Sequence, residues 1–199
     1  MDVIITQNTA FPIKVIGDHA GISTGRGAIN SSNDISKLKK RIENCYRLGH
    51  TSVFEAVTVG FYISGISRSC SHQLVRHRHM SFCQMSQRYT KVDTQSDDWY
   101  VTPPEFKDYI PFHLGMKNAA DLYRVMLMRG VRPEDARFVL PEATKTDISV
   151  VTNLRELFMF LDLREDSAAQ WEIRNLANMM EEKVKAINPE WEWLMDLRK

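Results

Sequence analysis

The 199-residue sequence predicts a mainly helical chain with a small sheet and no alternating βαβ series. Val- and Ile-rich runs near the N-terminus, and a period-two run at 56–65, read as strands. From position 111 onward, long stretches repeat apolar residues at helical spacing. No glycine-rich turn joins a strand to a helix, so a dinucleotide-binding Rossmann arrangement fits poorly.

DVIIT and FPIKVIG, near the N-terminus, read as two short strands separated by turn-like residues. Residues 17–33 are small, polar and glycine-rich, which predicts a loop. Within it GISTGRG lacks the Gly-Lys-Ser/Thr ending of a phosphate loop. A helix follows over 35–48, with Ile35, Leu38, Ile42, Cys45 and Tyr46 at helical spacing, Asn33 or Asp34 as cap and Gly49 as stop. In AVTVGFYISG, Val57, Val59, Phe61 and Ile63 share one face of a strand. A short helix beginning near Ser67 buries Ile66 and Leu74. Residues 97–111 are proline-punctuated and irregular.

A long helix over 111–129 turns Met116, Ala119, Ala120, Tyr123, Met126 and Leu127 inward and stops at Gly130. Pro133 opens a shorter helix, which Pro141 ends. Two more helices are expected over 153–163 and 167–187, the last terminated by Asn188-Pro189. Met126, Met128, Met179 and Met180 read as packing residues. The chain is long enough for one domain or a compact pair, and we take 1–199 as a single domain.

Lys and Arg total 26 against 25 Asp and Glu, a net charge of +1 that argues against a dedicated nucleic-acid binder. Cys45, Cys70 and Cys83 are widely spaced and form no disulfide framework, which suits a reducing cytoplasm. The N-terminus lacks the basic start and apolar run of a signal peptide, and no apolar run approaches a membrane span.

The basic charge is local. RHRHMSFCQMSQRY, residues 76–89, sets Arg76, His77, Arg78 and His79 side by side, then returns to Ser86, Arg88 and Tyr89. One reading is a solvated charged loop, but Leu74, Val75, Met80, Phe82 and Met85 interleave the charges and imply partial burial. A metal site using His72, His77, His79, Cys70 and Cys83 is a second, although the arginines would repel a cation and no ligand spacing is present. Single-stranded nucleic acid is a third, with Phe82 and Tyr89 stacking bases. A bound nucleotide fits best. Arginine's planar fork matches phosphate, and in an extended chain Arg76 and Arg78 point the same way.

Arg76-His77-Arg78, seven residues and then Ser86, continuing to Gln87-Arg88-Tyr89, resembles the signature of the flavin-dependent thymidylate synthases. GHTSVFE, ARFVLP and the segment from Asn153 through Ala-Gln-Trp-Glu-Ile resemble further family motifs in register. The resemblance implies an α+β fold, with helices packed around a small, mostly antiparallel sheet. It also implies a homotetramer with shared active sites and a methyltransferase activity that makes dTMP from dUMP. Methylenetetrahydrofolate would be the one-carbon co-substrate, FAD the flavin and NADPH the reductant. No metal, nucleic acid or membrane is implied.

By matching motif positions, Arg76, His77 and Arg78 are expected at FAD, with Ser52, Glu55, Asn153 and Arg155 nearby and His50 at the folate and nicotinamide face. Gln73, Arg76, Gln84, Ser86, Gln87, Arg88 and Arg137 are expected at dUMP. Arg164 is expected to face the uracil ring, where a guanidinium stabilises negative charge on the pyrimidine and raises the nucleophilicity of C5. The blander alternative makes Arg137 and Arg155 helix-surface ion-pair partners of Glu134 and Glu156. Trp171 reads as core.

Several positions depart from the family pattern: Cys83 for Asn, Gln84 for an acidic residue, Met159 for a polar one and Ala168 for His. The segment near residue 25 also lacks the usual Ala-Arg. Exchanging a carboxylate for an amide at Gln84 changes hydrogen-bond polarity. Hydroxymethylation of dUMP or dCMP is therefore the alternative activity, and a nucleotide-binding relative without turnover the alternative class.

Overall fold

The computed structural model describes residues 1–22, 25, 33–96 and 98–198. Four strands, β1 (Asp2–Asn8), β2 (Thr58–Ser67), β3 (Ser81–Gln84) and β4 (Lys145–Asn153), form an antiparallel sheet in the order β1-β2-β4-β3. Eight helices accompany them among the described residues: α1 (Pro12–Ile22), α2 (Ile35–Arg47), α3 (Arg68–Leu74), α4 (Ile110–Met128), α5 (Pro133–Ala136), α6 (Leu154–Arg164), α7 (Trp171–Lys185) and α8 (Pro189–Asp196). This is the α+β class expected. None of the helices is long and apolar enough to cross a membrane.

The chain gathers into two compact units that alternate along the sequence. The first comprises 1–2, 63–76 and 83–148. Its α4 buries Met116 and Ala120 against Trp99, with Tyr100, Phe112 and Leu140 packed around them. The second comprises 3–62, 77–82 and 149–199, and carries α1, α2, α6, α7 and α8. Phe54, fully buried, stands edge-on to Tyr46 with ring centroids 5.9 Å apart and is tilted against Phe158 at 5.8 Å.

Two N-terminal expectations fail. All of FPIKVIG after Phe11 lies in helix α1, not a strand, and residues 17–22, assigned to a loop, belong to the same helix. Pro12 sits in the first turn, where its missing N–H costs nothing, and Ile13, Ile16, Gly17 and Ala20 follow at helical spacing and are buried. The remainder of GISTGRG and of the predicted loop, at 23, 24 and 26–32, lies outside the described residues.

Two elements go beyond the sequence expectation. In β4, Thr146, Ile148, Val150 and Thr152 alternate inward, a period-two signal present in the sequence. Pro189 does end the preceding helix, but it also opens α8, capped by Asn188 Oδ1 accepting from Glu190 and Trp191 N–H. Helix α7 starts at Trp171, four residues later than predicted, because Gln170 caps it. Met128 is 78% exposed in the chain and does not pack as expected.

Candidate active site

The second unit holds Arg164, His77, Arg78 and most of the expected flavin residues. Helix α6 is set by its N-cap: Asn153 Oδ1 accepts from Glu156 N–H at 2.9 Å, and Leu154 N–H donates to Val57 C=O at 2.9 Å. Burial of Leu154, Leu157, Phe158, Phe160 and Leu161 fixes its rotation and leaves Met159 and Leu163 exposed. Arg155 is paired with Glu55 and not with its neighbour Glu156. Ser52 and Glu55 lie exposed on the short 3-10 turn over Thr51–Ala56, and His50 is exposed just before it.

At the far end of α6, Arg164 Nε donates to His77 Nε2 at 3.1 Å. The His77 ring stands edge-on to Phe160, centroids 4.9 Å apart. Burial, and then the charge of Arg164, lower the His77 pKa to about 4, so the ring is neutral near pH 7. Arg78 and His79 are exposed.

The first unit holds Gln73, Arg76, Gln84, Ser86, Gln87, Arg88 and Arg137. Arg76 is exposed just after α3, and Gln73 is half-buried. Gln84, on β3, donates from Nε2 to Ser71 Oγ at 2.9 Å and Thr146 Oγ1 at 3.3 Å. Ser86 Oγ accepts from Arg88 N–H at 3.2 Å. Glu134 gathers three arginines: its carboxylate accepts from Arg88 Nε at 3.1 Å and lies 2.7 Å from Arg132 Nη2, while its backbone C=O accepts from Arg137 Nε at 3.0 Å.

A cleft of about 280 Å³ in this unit is lined by Gln87 and Arg137, and by Arg68, His72, Phe138 and Glu142 among others. Burial, and then the like charge of Arg137, lower the Arg68 pKa, and Glu142 at the same cleft opposes them without reversing the shift. Two guanidinium groups facing one cleft is an arrangement that an anion relieves. Sequence reasoning missed Arg68 altogether and weighed His72 only as a metal ligand. The signal was there for Arg68, because a cation in the first turn of a helix opposes the helix dipole. Among the described residues, no three His, Cys, Asp or Glu side chains are grouped to hold a metal.

A family model described as "Thymidylate synthase complementing protein" matches residues 6–190. A flavin-dependent thymidylate synthase from Pyrococcus furiosus is 44% identical over 171 residues, covering 82% of this chain and 69% of the relative. One from Geobacter sulfurreducens is 39% identical over 198 residues, covering 95% of this chain and 84% of the relative. The chain belongs to this family of flavin-dependent thymidylate synthases. A crystal structure of ThyX from Helicobacter pylori, complexed with FAD and dUMP, is similar in fold, with TM-score 0.80, 23% identity and 98% of each chain covered.

Proposed function

We propose that this chain methylates C5 of dUMP to give dTMP, using methylenetetrahydrofolate as one-carbon donor, FAD as cofactor and NADPH as reductant. The Arg164–His77 hydrogen bond carries the reading, because it leaves a permanently charged guanidinium held by a neutral acceptor. Such a group cannot serve as a base but can stabilise negative charge developing on a uracil ring. Arg137, Arg68 and Gln87 suit the nucleotide phosphate, and Ser86 and Arg88 flank Gln87 in sequence. Ser86 has a binding role, since a serine nucleophile would need an adjacent base.

The donor set also fits FAD. Arg76 and Arg78 are exposed cations with no acidic partner among the described residues, and Ser52 adds a hydroxyl. Bound there, reduced FAD supplies the hydride that completes the methyl group. Asn153 is committed to capping α6 and Arg155 to pairing Glu55, so both act by holding that surface in place until a ligand competes for them. A homotetramer with shared sites is part of the same proposal.

The test is direct. Purified protein should take up FAD and turn yellow. With dUMP, methylenetetrahydrofolate and NADPH it should give a nucleotide heavier by the CH2 that exchanging the C5 hydrogen for methyl adds. A product heavier by CH2O, the gain for hydroxymethyl in place of that hydrogen, would assign the alternative activity, which Gln84 motivates. A colourless protein without FAD affinity would rule out flavin catalysis.

A further inference from the structure

The second unit contains an ionic cluster around a buried guanidinium that the proposed reaction does not use. Arg198, one residue from the end of the sequence, has 5% of its side chain exposed. Its Nη1 donates to Asp162 Oδ1 at 2.8 Å and its Nη2 to Glu165 Oε2 at 2.6 Å, with Glu181 Oε1 3.3 Å from Nη2. Burial works against the charge, yet the hydrogen bonds to Asp162 and Glu165, together with the charges of Glu165 and Glu181, outweigh it and raise the pKa of the guanidinium.

Asp162, on the last turn of α6, and Glu165, its C-cap, bracket Arg164. At about 100° per residue they share one side of the helix, and Arg164 projects roughly 130° away from them. Helix ends fray, because the last carbonyls lack intrahelical partners. A rigid fork gripping two carboxylates three residues apart fixes both the rotation and the closure of that turn. A cation at this end also complements the helix dipole.

We propose that Arg198 is a positioning residue, whose clamp on Asp162 and Glu165 sets the pose in which Arg164 Nε reaches His77 Nε2. A plain anchor for α8 would leave that hydrogen bond alone. The consequence for turnover rests on the proposed role of Arg164, whereas the hydrogen bond can be observed without it.

The test uses full-length protein labelled with 15N-arginine, in which the Arg164 Nε–H signal is identified by its loss in Arg164→Lys. Arg198→Lys keeps the charge but loses the fork. It should shift and broaden the Arg164 Nε–H signal and lower kcat on the order of 10- to 100-fold, with little change in KM for dUMP. Asp162→Asn should do the same to a smaller extent. Because 60% of the Asp162 side chain is exposed and the Glu165 contact remains, this variant decides the matter if Arg198→Lys does not fold. A folded variant with an unchanged Arg164 signal and unchanged kcat would overturn the proposal. Failure of the protein to bind FAD would defeat the proposed function and leave the labelled-arginine test standing.

Discussion

Arg164 and His77, 87 positions apart in sequence, are joined by a 3.1 Å hydrogen bond in which the arginine can only donate. His77 Nε2 is therefore the acceptor, and the ring proton sits on Nδ1. Because burial and Arg164 lower the His77 pKa from 6.5 to about 4, the native state holds the ring neutral where the unfolded chain would begin to protonate it. The stability gained from the neutral ring is present in full above pH 6.5 and is lost as pH falls toward 4. Chemical denaturation between pH 4 and 7 should show wild type losing its advantage over His77→Gln across that window. A difference constant with pH would contradict the neutral-acceptor assignment.

Arg164→Ala removes the proposed charge stabilisation without touching the exposed cations suited to flavin. We expect kcat to fall by about 10²- to 10³-fold or more, with the visible flavin spectrum retained. Arg164→Lys should restore little, since an ammonium lacks the planar fork. Turnover near the wild-type rate in either variant would remove Arg164 from the chemistry.

The cleft with Arg68 and Arg137 makes a separate prediction about binding. Charge-assisted hydrogen bonds contribute about 1.5–3 kcal/mol each, so Arg137→Ala should raise KM for dUMP by about 10- to 100-fold. Saturating dUMP should recover most of kcat. The wild-type KM should also rise with added salt, because screening weakens the attraction for phosphate. A variant with unchanged KM would place the phosphate elsewhere.

The sequence disclosed the elements whose period is long and unbroken. Leu38 and Ile42 on α2, Val59, Phe61 and Ile63 on β2, and Met116, Ala120 and Tyr123 on α4 are buried where periodicity put them. It misled where a short apolar run suits two states. Val15 and Ile16 favour a strand, but Pro12 and the 13-16-20 spacing placed that run in a helix. β4 escaped notice because threonines fill two of its four inward positions. The two units divide the expected residues in a way that motif order does not reveal: Arg76 falls in one and His77 and Arg78 in the other. The pairings of Arg155 with Glu55, of Arg137 with a backbone carbonyl and of Arg198 with Asp162 were invisible, because each depends on side-chain direction after folding.

Two glycines give opposite predictions from one substitution. Gly17 is buried in α1, and a Cβ there would meet Leu38 Cδ2 at 2.6 Å, Cβ at 3.1 Å and Cγ at 3.3 Å. Leu38 is itself fully buried, and all three contacts are to its side chain, so the whole side chain must move within the core. Overpacking of this kind costs about 1–3 kcal/mol, which exceeds the helix propensity of about 0.8–1.0 kcal/mol that alanine adds over glycine. Gly115, inside α4, is exposed, and a methyl added there would meet nothing within 4 Å, so only the propensity gain applies. Gly115→Ala should therefore raise Tm by about 2–4 °C, and Gly17→Ala should lower it. If both raised Tm, Leu38 would have room to shift, and the α1–α2 contact would be looser than these distances describe.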